Sequence, residues 1–307
     1  MGAGDIMVGA NFNYQFINWA HDEIEGSDEG FDHLGTLSAK VFTPNITIGI
    51  TDWWNITLSQ VIGKRTMTWG VENETTKHHR DESSDTDFDN AIGGLLGDSR
   101  IMVRFLALNA GKGPGSRLFL GGGIGIPSKN TLTSDPFFLQ DDDEVEPHRH
   151  FSMSEGIYKA IFETQFFVKR TLNPVFAGGT FSISYPLADS KYGYTGSRMV
   201  DFSLTAYSKK IKLINGSIGG NIMVRNTSEG QWNGIPAPNS KSTIVIPGIG
   251  GLWNLGFATL SVNVQKPYFI AGAFSGGDGN ADEKTDVWQI SIGMRKILDY
   301  YIQWLYW

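Results

Sequence analysis

The six histidines of this chain, His21, His33, His78, His79, His148 and His150, all stand near carboxylates. The first acidic run holds Asp22, Glu23, Glu25, Asp28, Glu29 and Asp32. The second holds Asp81, Glu82, Asp85, Asp87 and Asp89, and the third Asp141, Asp142, Asp143, Glu144 and Glu146. Imidazole nitrogen and carboxylate oxygen suit divalent metals. Asp85, Asp87 and Asp89 also have the alternate spacing that opens a calcium loop. Asn90, however, stands where glycine is expected, and Leu96 where the bidentate glutamate is expected. His78, His79, Asp85, Asp87, Asp89, His148 and His150 are therefore the candidate ligands for calcium or zinc. The competing reading is a solvated acidic surface with no cofactor, and both readings stay open.

A second set of charges recurs at strand spacing. Arg100, Arg104, Glu163, Lys169, Asp201, Arg225 and Arg295 each sit on the polar side of a segment whose alternate residues are apolar. Side chains of a strand alternate between two faces. These seven charges thus share the face opposite the apolar one. On the inside of a closed barrel they would tune ion selectivity, or pair with one another and fill the bore.

No nucleophilic chemistry emerges. There is no G-x-S-x-G elbow, and no histidine is expected inside a strand. The chain has no cysteine, which excludes disulfides, thiolate metal sites and cysteine nucleophiles and suits an oxidising envelope. A net charge of −7 gives no electrostatic support for nucleic-acid binding. No catalytic residue is assigned, and the chain is read as a non-enzyme.

The elements that hold these residues are strands. Gly97 to Pro127 is typical: Ile101, Val103, Phe105 and Ala107 share one face, and Arg100, Met102 and Arg104 the other. A Gly/Pro turn at 111–115 follows. In the next segment Leu118, Leu120, Ile124 and Ile126 oppose a nearly all-glycine face. Twelve such segments are predicted, near 5–19, 37–51, 54–69, 97–110, 116–127, 159–171, 175–185, 199–209, 212–225, 241–253, 257–268 and from 286 onward. The uncharged run 242–265 is broken by Pro247, glycines, Asn254 and Asn263, so it reads as two strands rather than a membrane helix. Pro44, Pro247 and Pro267 fall inside strands and mark bulges or kinks; a kink could open a lateral path into the bilayer.

The connections alternate long and short. Long loops are expected near 20–33, 70–96, 128–154, 186–198, 226–240 and 269–285. Transmembrane barrels show this asymmetry, with short periplasmic turns and long outer loops. Trp19, Trp53, Trp54, Trp69, Tyr185, Trp253, Tyr268 and Trp288 lie near strand ends, as interfacial girdles require. The expectation is one domain over residues 1–307: an all-β, transmembrane, antiparallel up-and-down β-barrel of about 12 strands in a bacterial outer membrane. Its apolar face meets lipid and its polar face lines the lumen. No signal peptide is visible at Met1, so the sequence reads as a mature form. The stretch 297–307 ends in Trp307, which suits the aromatic end by which the assembly machinery recognises such barrels.

Gly97-Asp98, Arg100, Arg104, the Gly/Pro turn and GGGIGIPSKN at 121–130 resemble the transporter family named after phenol meta-pathway degradation, a distant relative of fatty-acid transporter barrels. The resemblance spans mainly residues 85–130. It implies an outer-membrane barrel that passes a small or hydrophobic molecule, and it carries over no catalytic residue. Fatty-acid transporters have an N-terminal plug, which a first strand starting near Asp5 does not accommodate.

The expected function is a passive channel or transporter for small solutes, hydrophobic or, given the acidic outer loops, cationic. The alternative is a closed structural barrel whose loops bind divalent metal or a protein partner.

Overall fold

The computed structural model describes residues 1–21, 33–70, 76–77, 88–111, 113–137, 148–238, 240–272 and 284–305. Twelve long antiparallel strands run in chain order around a closed sheet. They are β1 (Asp5–His21), β2 (His33–Gly49), β3 (Trp54–Gly70), β4 (Leu96–Asn109), β5 (Gly115–Ile126) and β6 (Lys159–Lys169). Then come β7 (Phe176–Pro186), β8 (Met199–Tyr207), β9 (Ser217–Thr227), β10 (Ser242–Asn254), β11 and β12 (Lys284–Tyr301). Strand β11 has two pieces, Thr259–Gln265 and Tyr268–Gly272, on either side of Lys266-Pro267. Closure is made by β1 against β12, from Asp5↔Tyr301 to Ala20↔Lys284.

The apolar face of this sheet points outward. Phe12, Phe42, Leu58, Val103, Leu120, Phe162, Phe202, Ile222, Ile249 and Ile292 are all exposed, Phe162 by 62% and Ile249 by 70%. A water-soluble barrel would bury these side chains. Each apolar side chain moved out of water is worth about 1.5–3 kcal/mol, so a belt of this kind is stable only against lipid. With no water in the hydrocarbon, every backbone group needs a partner within the sheet, and the closed ring provides it. The structure is therefore a transmembrane β-barrel of the bacterial outer-membrane type.

Both termini sit at the short-turn end. The Gly4 amide donates to Gly49 O at 2.7 Å, and the Ile302 amide to Gly4 O at 2.8 Å. At that end Trp53, Trp54 and Phe257 are exposed; towards the other end Tyr158, Tyr185, Tyr268 and Trp288 are exposed. These are the two aromatic girdles. Trp19 is not part of either. It shares the inward face with the buried Ile17 and lies across Gly35, whose missing Cβ would stand 2.6 Å from its ring. The Trp69 side chain lies outside the described residues.

Several boundaries differ from the sequence expectation. Strands β1 and β2 reach His21 and His33, which pair directly; two histidines therefore do lie in strands, at the outer tip of a hairpin that outruns the bilayer. Strand β9 starts at Ser217 rather than Lys212. The five residues before it form a tight turn that places Asn215 at φ 52°, with its amide donating to Lys212 O at 3.3 Å. Turn chemistry there outweighs the period-two pattern, because asparagine tolerates the left-handed region. The tail extends β12 to Tyr301, and one 3-10 turn, Gln303–Leu305, follows it.

Of the three strand prolines only Pro267 acts as expected; Pro44 and Pro247 lie in continuous ladders of β2 and β10 with no register shift at either. Pro267 divides β11, and beyond it Tyr268–Gly272 pairs with β10 alone. Residues 284–288 of β12 pair only with β1. Hence β11 and β12 part company above Gln265↔Gln289. The notch opens at the level of Trp288 and Tyr268, the depth of the headgroups. At its base Lys266 pairs with Asp286 and lies 4.5 Å from the Trp288 ring centroid.

Candidate functional site

Because outward residues face lipid, the lumen is the site, and strand register decides what fills it. Strand β5 contributes Gly121, Gly123 and Gly125 opposite Arg104, Met102 and Arg100 of β4 and Glu163, Ile161 and Lys159 of β6. The glycine face leaves room that its neighbours occupy. A Cβ on Gly123 would stand 2.3 Å from Met102 Sδ, and one on Gly121 would stand 3.2 Å from Arg104 Cγ. Across Gly121, Arg104 Nε donates to Glu163 Oε1 at 2.6 Å and Arg104 Nη1 to Thr57 at 2.8 Å. Gln165 Nε2 donates to the same Glu163 oxygen at 2.8 Å.

Four of the seven predicted lumen charges form two ion pairs. Arg104 and Glu163 pair with each other. Arg225 grips Asp201 with two bonds, 2.7 and 3.1 Å, the fork geometry that carboxylates favour. Lys169 of β6 and Arg295 of β12 stand apart from each other, each near the periplasmic end of its strand. Arg100, higher in the bore, completes the seven. Among the described residues these last three cations have no carboxylate partner, and all three are exposed.

Between Arg225 of β9 and Arg295 of β12 the wall carries a belt of uncharged amides. Gln289 Nε2 donates to Gln265 Oε1 at 3.1 Å, Gln265 Nε2 to Asn221 Oδ1 at 2.9 Å, and Asn221 Nδ2 to Asn263 Oδ1 at 3.4 Å. Ser291 continues the belt to Asn13 at 3.0 Å. Glycines again make the space, since a Cβ on Gly250 would collide with Asn263. At the periplasmic end of the bore a strip of rings crosses four adjacent strands. Phe119 lies 6.4 Å from Phe167, Phe167 stacks 5.5 Å from Phe176, and Phe176 lies 6.5 Å from Tyr207. Sequence reasoning missed both the amide belt and the strip. Their only signal was inward parity, and parity does not reveal which residues meet.

Ordered pieces of the outer loops cover part of the mouth. Ala91–Ile92 pairs with Thr131–Leu132, and Tyr194–Thr195, Gln231–Trp232 and Ile235–Pro236 form a small sheet. Two asparagines stand in for backbone partners: Asn90 exchanges two 2.9 Å bonds with the main chain of Arg149, and Asn130 Oδ1 accepts from Met153 N at 2.9 Å. Buried polar groups need such partners. Arg65 Nη1 donates to Ser152 O at 3.1 Å and ties this cap to β3. Inward-facing Ile17, Ile161, Ile246 and Val287, with Ala91, Ile157, Trp232 and Ala237 of the cap, are buried apolar residues of the outer half.

Tyr194 packs against Trp232 with ring centroids 5.0 Å apart and planes tilted by 46°. Burial, and next the charge of Glu155, push its phenol up from 10.0 to about 12, while the Ser197 hydroxyl bond works the other way. The neutral phenol is thus the form the cap holds. The contribution of Tyr194 to cap stability is complete below pH about 10 and is lost as pH rises towards about 12. A phenolate absorbance titration should show one late-ionising tyrosine, and Tyr194→Phe should remove it. A native curve without that late component would contradict the burial described.

Of the candidate metal ligands, His78, His79, Asp85 and Asp87 lie outside the described residues. Asp89 is exposed on a turn. His148 is buried, and its Nε2 stands 3.1 Å from Nε2 of His150. Among the described residues no three histidine or carboxylate groups converge.

Together these features define a class: an outer-membrane β-barrel with a polar, partly capped lumen. No family model matches the sequence, and no curated protein matches it. In the solved structures, the chain is similar to an outer-membrane channel from Pseudomonas putida F1, at 8% identity over 97% of each chain with a TM-score of 0.59. The TodX monoaromatic hydrocarbon channel gives 0.44 at 9% identity, over 98% of this chain and 91% of that one. The toluene transporter TbuX of Ralstonia pickettii gives 0.40 at 7%, over 97% and 90%. The first supports the resemblance to outer-membrane transporter barrels at the level of the fold.

Proposed function

We propose that this barrel is a channel that passes small solutes across the outer membrane by diffusion and performs no catalysis. The observation that supports this best is the inner wall. Polar side chains line it from the ion pairs of β4–β6 to the amide belt of β9–β12, and hydrogen bonds between neighbouring strands hold them against the wall. A barrel whose only task was structural would gain more from an apolar interior packed at protein density. The notch between β11 and β12 offers amphiphilic molecules a side approach at the headgroup level. The aromatic end of β12, with Tyr300, Tyr301 and Trp304 exposed, is assigned to recognition by the assembly machinery.

The test is conductance of the purified chain in planar bilayers, together with swelling of liposomes in small solutes. Stepwise conductance and solute-dependent swelling are expected. A chain that inserts, resists heat and denaturant as a folded barrel, and yet gives neither would leave the structural reading in its place.

A further inference from the structure

Below the notch the lumen wall contains a hollow of about 230 Å³. We propose that this hollow, lined by Ser203, Thr205, Tyr207, Asn221, Asn263 and Gln265, is a binding station for a neutral, hydroxyl-rich solute the size of one monosaccharide ring. The proposal rests on the channel reading for its biological sense and on the wall itself for its chemistry.

Charge is the first discriminator. No carboxylate, ammonium or guanidinium group lines the hollow. The nearest ions along β8 and β9, Asp201 and Arg225, are closed on each other. A charged solute would be desolvated there with no counter-charge to compensate, which is costly.

Polarity is the second. Three hydroxyls and three amides, with the Met223 side chain and the Leu204 and Ile222 positions between them, surround a space with room for roughly eight waters at about 30 Å³ each. A purely apolar ring would displace that water and leave the polar groups without partners, the kind of mismatch by which polar sites reject analogues lacking a hydroxyl. A polyol offers a donor and an acceptor at each hydroxyl. The amides are already oriented. Gln289 holds Gln265, Gln265 holds Asn221, and Asn221 with the Tyr207 hydroxyl (3.5 Å) holds the Asn263 carbonyl oxygen. This leaves Asn263 Nδ2 and the Ser203 hydroxyl without a partner among the described residues. An amide fixed before the ligand arrives loses little entropy on binding.

Shape is the third. The Tyr207 ring lies flat across Gly219, whose Cβ would stand 2.5 Å from Tyr207 Cδ1. The ring continues into Phe176, Phe167 and Phe119 towards the periplasm. Sugar rings present C–H faces that stack on such surfaces while their hydroxyls bond at the edge. The hollow and the strip thus form a polar station followed by an aromatic exit.

The test uses the purified full chain in detergent micelles and D-glucose as probe, with binding read by saturation-transfer NMR. Saturable binding with a dissociation constant on the order of 1 mM is expected. Asn221→Leu/Asn263→Leu should weaken it at least tenfold and Ser203→Ala about threefold, while phenol should compete poorly. If the double variant fails to assemble, by loss of heat-modifiable gel mobility, Ser203→Ala and Thr205→Val decide the matter. No saturable binding to the native chain, native affinity in the assembled variants, or tighter binding of phenol than of glucose would each overturn the station. Conductance is scored separately: binding without conductance sinks the channel and keeps the station, and conductance without binding does the reverse.

Discussion

Phe12→Arg is expected to destabilise the barrel by about 2–4 kcal/mol in phospholipid vesicles, whereas Asn11→Arg, one residue away, should cost less than about 1 kcal/mol. Phe12 points outward at mid-strand, between Phe42 of β2 and Ile292 of β12. A guanidinium there must sit in hydrocarbon or thin the bilayer around it. Asn11 points into the lumen beside Gly293, is exposed, and makes no side-chain hydrogen bond among the described residues that the new side chain would break. The measurement is urea unfolding in vesicles, followed by tryptophan fluorescence. A soluble barrel, with apolar face inside, would also lose stability at Phe12, but in detergent-free water, where this chain should not remain folded. Equal costs at the two positions in vesicles would refute the lipid-facing assignment.

The second large effect concerns ion selectivity. The acidic outer loops suggest a preference for cations, but the lumen argues for the opposite. Glu163 and Asp201 are neutralised by Arg104 and Arg225. Arg100, Lys169 and Arg295 are left as exposed positive charges on the inner wall. One unit charge at ~8 Å in an effective dielectric of ~40 is worth ~1 kcal/mol, a several-fold bias for each, reduced by salt. The reversal potential in a potassium chloride gradient is expected to report chloride permeating several-fold faster than potassium. Arg100→Glu/Lys169→Glu/Arg295→Glu should reverse its sign. A native channel that favours potassium would show that the loops, not the wall, set selectivity. A triple variant that keeps the native sign would show that these three residues do not face the ion path.

Much of the architecture was legible because it is a local property. Ile46, Ile48 and Ile50 alternate with Thr47, Gly49 and Thr51, and nothing distant is needed to read a strand there. Loop lengths are equally local, and their alternation set the inside and outside of the membrane. Where local turn chemistry competed, as at Asn215, the pattern misplaced a boundary. The unpairing of β11 from β12 was foreshadowed by Pro267, but which neighbour would be lost was not.

What the chain determines alone is therefore the period, the count of strands and the two faces, since alternation and turn length act within a few residues. What only the tertiary structure decided is the content of the lumen. Arg104 and Glu163 are separated by 59 residues and meet because Gly121 of the intervening strand has no side chain. The Asn221–Gln265 bond spans 44 residues and depends on the registers of β9, β10 and β11 together. Closing β1 on β12 converts a flat polar face into a bore, and only then does it matter which charges are paired, which stay free, and where a hollow remains.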